Sequence, residues 1–238
     1  KIIIALLISV KLFAAEIDTP EVKPPIVFTK AEIINAYTTR IPFKIIDQLI
    51  VVEVEILDKE GNFIIDTGSE ALILNSVHFK PTRAHRQDGQ LKSGVHNDIE
   101  NVKKKYLDFL SIKDLSLEKV KKIELLGIIG YSVLKDFEIF IDMHLNQITL
   151  TRTNRHGERL SKKVYAEAIH DSIDIKLKKH TIIIDAFVGN KEVRFGLDTA
   201  AEYNQLNEDL DSEILDYFYP SKELKLTGAS GQKMKVLA

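Results

Sequence analysis

Two aspartates of this chain stand in similar company. Asp66 ends the apolar run of "NFIIDTGSEALILN" (62–75) and is followed by Thr67, Gly68 and Ser69. Asp198 ends a shorter run in "FGLDTAAEYNQLN" (195–207) and is followed by Thr199, Ala200 and Ala201. An acid at the end of an apolar strand is partly desolvated, which favours its neutral form. One such acid is costly, but two that face each other can share a proton and hold a single negative charge. A pair of this kind can clamp a water molecule. The ionised member takes the water's proton as it attacks an amide carbonyl. The neutral member hydrogen-bonds to the carbonyl oxygen as charge develops there. A threonine hydroxyl can bond to the backbone of the opposite turn and lock two such loops together. Glycine lets backbone pass close to a carboxylate and offers an N–H donor.

The elements that must position these acids repeat along the chain. At a displacement of 132 residues, Asp198-Thr199 falls on Asp66-Thr67, Phe195 on Phe63, Lys191-Glu192 on Lys59-Glu60, and Leu206-Asn207 on Leu74-Asn75. Matches at one fixed offset across a strand-turn-strand-acid unit argue for two related lobes; chance likeness of two hairpins is the alternative. The run "IPFKIIDQLIVVEVEIL" (41–57) is rich in β-branched residues and reads as strands. "DKEGN" (58–62) carries a hairpin signal, "FIID" is the returning strand, and "ALILN" (71–75) is another short strand. The polar stretch 80–105 is too long for an ordinary loop and reads as either mobile or a functional hairpin. "YLDFLSIKDLSLEKV" fits strand-turn-strand better than a short helix. "YSVLKDF" reads as one or two helical turns, "EIFIDMHLNQITLTR" as a hairpin, and "DIKL" and "HTIIIDAFV" as further strands.

At "IIDTGSEALIL" and "LLGIIGYSVLKDFEIFIDMHLNQITL" (125–150) the chain resembles the aspartic peptidases of the pepsin and retropepsin superfamily. The first matches their hydrophobic-hydrophobic-Asp-Thr-Gly-Ser pattern. The second resembles their later block of hydrophobic-hydrophobic-Gly, short helix and closing hairpin. The resemblance covers about 45–152 well and 173–236 in part. It implies a mostly β fold of two related β-barrel lobes with the active cleft between them, Asp66 and Asp198 as the catalytic pair, and Thr67, Gly68, Ser69, Thr199, Ala200 and Ala201 as the supporting turns. Ile128-Ile129-Gly130 would thread behind the first turn, and Ser69 would hydrogen-bond the outer oxygen of Asp66. The second turn departs from the pattern, with Ala200 in place of glycine. That methyl is tolerated at negative φ and would displace the turn at positive φ. No second hydrophobic-hydrophobic-Gly block follows "LTGASGQKMKV", so the second lobe reads as incomplete. Flaps over the cleft are expected around Gly89 and Gly94 (in Gln90–Asp98) and around Gly228 and Gly231, as candidate substrate-binding segments.

Composition narrows the alternatives. The chain has 238 residues, 45% of them hydrophobic, enough for one large or two small domains. A net charge of −2 gives no sign of a nucleic-acid or anionic-membrane partner. The absence of cysteine rules out disulfides, thiolate metal sites and cysteine nucleophiles. Residues His78, His85, His96, His144, His156, His170 and His180 show no metal-ligand spacing, and no metal or organic cofactor is expected. "KIIIALLISVKLFAA" (1–15) has the size of a secretory signal core, so export to a bacterial periplasm or cell envelope is expected. The division read from the sequence is a signal peptide 1–15, a linker 16–40, a first lobe 41–155, a connector 156–172 and a partial second lobe 173–238. The expected activity is that of an endopeptidase on extended polypeptide. The rivals are a homodimer using Asp66 from each chain and a peptide-binding module of the same fold without turnover.

Overall fold

The structure is a computed structural model. It describes residues 27–79, 86–87, 90–91, 110–113, 115, 123–162, 171–207, 209–219, 223–227 and 233–237. The fold is mostly β. Strands β1 (Glu32–Asn35), β2 (Thr38–Ile46), β3 (Leu49–Ile56), β4 (Lys59–Ile65) and β5 (Leu72–Asn75) come first. The short strands β6 (Arg86–Gln87) and β7 (Gln90–Leu91) pair with each other. Then come β8 (Leu110–Lys113), β9 (Gly127–Ile129), helix α1 (Tyr131–Leu134), β10 (Phe137–Asp142) and β11 (Gln147–Arg152). Strands β12 (Ile175–Lys178), β13 (Thr181–Val188) and β14 (Lys191–Leu197) form a separate sheet. Helix α2 (Ser212–Leu215) and the hairpin β15 (Glu223–Thr227) and β16 (Lys233–Leu237) complete the order.

The large sheet runs β10-β11-β2-β3-β4-β9-β5-β8, with β1 beside β2. Its two ends stay apart, so among the described residues no sheet closes into the barrel expected from the sequence. Side-chain alternation along β3 and β4 sends residues to two faces. Ile50, Val52, Phe63 and Ile65 join one buried cluster with Phe43, Leu72, Leu74, Leu126, Ile129 and Leu134. Leu49, Val51 and Ile64 join another with Ile73, Leu125 and Ile128. Apolar burial on both faces explains why "LIVV" at the start of β3 does not alternate with polar residues.

Two details differ from the sequence reading. Strand structure begins at Glu32, inside the stretch expected as linker, where β1 pairs with β2 and Glu32 meets Arg40 at 2.8 Å. The β3–β4 hairpin turns at Leu57-Asp58 (φ 53° and 58°), not within Glu60-Gly61-Asn62. Two consecutive left-handed residues give the turn that matches strand twist. Gly61 instead lies within β4, opposite Val54, where a Cβ would meet Leu126 Cδ1 at 2.7 Å. The short helix at Tyr131 and the β10–β11 hairpin stand where the sequence places them. Residues 1–26, Gly89, Gly94, Gly228, Gly231, His85, His96 and His170 lie outside the described residues.

The repeat is carried by backbone register. Moving β3 and β4 forward by 132 residues gives the bounds of β13 and β14. Phe43↔Val52 and Ile46↔Leu49 become Ile175↔Ile184 and Lys178↔Thr181. Val52↔Phe63 becomes Ile184↔Phe195, and Ile56↔Lys59 becomes Val188↔Lys191. The turns correspond as well, since Leu57 (φ 53°) matches Gly189 (φ 58°) and Asp47 (φ 48°) matches Lys179 (φ 61°). Identical pairing through three strands and two turns is far more specific than a few matching letters.

Candidate functional site

Each acid follows the last residue of an inner strand: Asp66 follows β4 and Asp198 follows β14. The next residue of each turn is a threonine, and the two threonines grip each other. The Thr67 amide donates to Thr199 Oγ1 at 3.1 Å, and the Thr199 amide donates to Thr67 Oγ1 at 3.1 Å. Thr67 Oγ1 donates to the Leu197 carbonyl at 3.1 Å, and Thr199 Oγ1 donates to the Ile65 carbonyl at 2.8 Å. Each hydroxyl therefore accepts one bond and donates one. The arrangement has approximate two-fold symmetry, as the repeat requires.

The carboxylates lie between these turns. Gly68 and Ser69 amides donate to Asp66 Oδ1, both at 2.9 Å. The Ala200 amide donates to Asp198 Oδ1 at 2.8 Å. The Ser69 contact expected from its hydroxyl is thus made by its backbone amide, because the tight turn points that N–H at Oδ1. Asp198 sits directly over Gly68, where a Cβ would fall 2.6 Å from Asp198 Oδ2. The absence of a side chain at 68 is what admits the second acid. The Asp66 carboxyl is pushed up from 3.8 to about 6. Burial is the main cause, and the charge of Asp198 and a side-chain hydrogen bond with it add to the rise. The Ser69 and Gly68 amides work against it by favouring the ionised form. They hold Oδ1, which leaves Oδ2 as the oxygen for the proton.

Behind Asp66 runs β9. It lies parallel to β4, with Ile65 opposite Ile129, and antiparallel to β5, with Ile73 opposite Ile128. The Asp66 amide donates to the Ile129 carbonyl at 3.0 Å, and the Tyr131 amide donates to the Ser69 carbonyl at 2.8 Å. Close passage explains both glycines of the block. A Cβ on Gly127 would meet Phe63 Cε1 at 2.5 Å, and one on Gly130 would meet the Ala71 carbonyl oxygen at 2.4 Å. Ile128-Ile129-Gly130 thus lies where the sequence reading expects it.

Ala200 is not among the residues with positive φ. Its methyl packs against the cluster of Leu49, Val51, Ile64 and Ile128, so it fills a contact between the two repeats. Ala201 donates its amide to the Asp198 carbonyl at 3.4 Å, as Ser69 does to Asp66 at 3.3 Å. A further contact escaped the sequence reading. His180 Nδ1 lies 3.9 Å from Glu70 Oε2, joining the β12–β13 turn to the residue after Ser69. Nothing in the spacing of these two residues signals it. Among the described residues no group of three or more His, Cys, Asp or Glu side chains is arranged to hold a metal ion, and no helix is long and apolar enough to cross a membrane.

Comparison of the chain with protein-family models, with curated proteins and with solved structures finds no match.

Proposed function

We propose that this chain is an aspartic-type endopeptidase, with Asp66 and Asp198 of one molecule as its catalytic pair. The observation that carries the reading is the reciprocal Thr67–Thr199 lock, which sets two acids together so closely that Asp66 rises to about 6. A fold with no use for paired acids would separate them, because two like charges in a desolvated site destabilise it. Asp66, with Oδ1 held by two amides, keeps the shared proton on Oδ2 and donates it toward the substrate carbonyl oxygen. Asp198 is then the member that takes the proton of the attacking water. The water oxygen bonds to the carbonyl carbon and the C–N bond breaks as the amine leaves with a proton. The substrate is an extended polypeptide, laid across the cleft between two β lobes. No step calls for a metal or organic cofactor.

The intramolecular arrangement is preferred to a homodimer of Asp66 turns because the partner position is already filled by Thr199 and Asp198 of the same chain. Export to a bacterial periplasm or envelope remains part of the proposal, supported by the "KIIIALLISVKLFAA" segment alone.

The test is cleavage of an unfolded protein substrate from acidic to neutral pH. Asp66→Asn and Asp198→Asn should each lower turnover by at least several hundredfold, the order expected for a positioned acid or base, with far-UV circular dichroism unchanged. Turnover retained in both variants would remove the peptidase reading. A folded parent that binds peptide without cutting it would favour the binding module.

A further inference from the structure

The first repeat carries a strand that the second lacks among the described residues. In the first, β9 lies between β4 and β5. In the second, β14 corresponds to β4, and residues 204–207 correspond to β5, but 204–207 form no strand and nothing pairs with the outer edge of β14. The Asp66 amide has the Ile129 carbonyl as acceptor, whereas the Asp198 amide has no acceptor among the described residues.

The side chains around this slot are apolar and uncovered. Phe43, Ile50, Val52, Phe63 and Ile65 are buried core residues of the first repeat. Their counterparts are Ile175, Ile182, Ile184, Phe195 and Leu197, and all five are apolar. Yet Ile175 is 55% exposed and Leu197 45%, against 3% for Phe43 and 7% for Ile65. An apolar surface of this kind marks an interaction site, and an open strand edge is a template for an added strand.

We propose that β14 and the Asn204–Asn207 segment form an acceptor slot for a polypeptide strand of the pattern Gly-apolar-apolar-Gly, running parallel to β14. The occupant is a partner segment with this chemistry, and the first repeat states its requirements. A glycine must pass over Phe195, as Gly127 passes over Phe63. The two apolar residues cover the faces beside Leu197 and Gly196. The carbonyl of the second receives the Asp198 amide, and the final glycine passes behind Ala201. The slot is continuous with the interface between the repeats, because the Leu197 carbonyl at its end already accepts the Thr67 hydroxyl.

The experiment uses the 238-residue chain and a labelled synthetic peptide, ELLGIIGYSVLKD, which copies residues 124–136. Fluorescence anisotropy reads binding and hydrogen exchange reads its place. Saturable binding is expected, with new protection of the Asp198 amide. A peptide carrying Gly127→Val should bind about tenfold more weakly or worse, from overpacking against Phe195. Leu197→Lys in the protein should weaken binding of the parent peptide. The proposal is overturned by absent binding, by equal binding of the valine peptide, or by protection confined to Phe63–Asp66, where the peptide would merely replace β9. It is also overturned if the Asp198 amide is already protected without peptide, whether through self-association seen by sedimentation or within the single chain.

Discussion

The threonine lock can be taken apart one hydroxyl at a time, and its two halves should respond unequally. Thr199→Val keeps the shape of the side chain and removes Oγ1. The Thr67 amide then loses its acceptor, and the Ile65 carbonyl loses a donor at 2.8 Å. Both stranded groups belong to shielded residues, Thr67 at 9% exposure and Ile65 at 7%. A lost hydrogen bond costs about 0.5–1.5 kcal/mol net, and a stranded buried group about 1–3 kcal/mol. The expected loss is therefore about 2–4 kcal/mol, a large part of an ordinary domain's stability. Thr67→Val strands the Thr199 amide and the Leu197 carbonyl instead. Leu197 is 45% exposed, so water can replace the lost donor there and the cost falls to about 1 kcal/mol. Urea denaturation followed by far-UV circular dichroism measures both, and it also gives the double variant. Because the four bonds form one network, the double variant should cost less than the sum. A Thr67→Val loss equal to or above that of Thr199→Val would refute the argument from burial. Losses below about 0.5 kcal/mol in both would show that the lock holds nothing.

Other perturbations separate the parts of the site. Asp66 has its folded pKa raised, so its stabilising contribution is full below 3.8 and is lost as pH rises through about 6. Asp66→Asn should remove that loss, leaving a variant more stable than the parent at pH 7 by up to about 3 kcal/mol but not at pH 3; paired urea titrations at the two pH values check it. Ala200→Gly should destabilise by about 1–2 kcal/mol, from added unfolded-state freedom and the lost methyl contact with the Ile64 cluster. Its peptidase activity should change little. Gly68→Ala should do the reverse, because its Cβ falls 2.6 Å from Asp198 Oδ2 and must displace that carboxylate. Turnover should drop at least tenfold, measured beside a circular dichroism spectrum that shows the fold retained.

Much of the inner architecture was legible because it rests on short-range chemistry. The β3–β4 hairpin, the β10–β11 hairpin and the helical turn at Tyr131 each follow from local periodicity and turn residues. Gly127 and Gly130 could be read as points of close backbone passage, and they are. The displacement of 132 residues was visible in a handful of identities, although the agreement of register was not, since most paired positions differ in residue type. The turn at Leu57-Asp58 was missed because leucine rarely takes left-handed φ and a glycine stood nearby as a better local candidate. The Ser69 contact was assigned to the wrong atom, because a sequence shows the hydroxyl but not which way the amide points. The His180–Glu70 approach joins residues from different repeats, and no local pattern encodes such a contact.

The duplication also explains why two similar turns produce unlike acids. Asp66 is held in the shielded side of the site by β9, which accepts its amide and helps bury the turn. Desolvation is the largest cause of its raised pKa. Asp198 belongs to an equivalent turn with no such strand behind it among the described residues, and it is exposed. The difference in burial thus follows from one absent layer rather than from the letters of the turn. Filling the slot beside β14 with a Gly-apolar-apolar-Gly strand should desolvate Asp198 by the means that desolvates Asp66. Both acids would then prefer the neutral form, and the pair would hold its shared proton to higher pH. A peptide that occupies the slot should accordingly move the alkaline limb of the pH–rate profile upward. A profile that stays fixed while the peptide is bound would separate the slot from the catalytic pair.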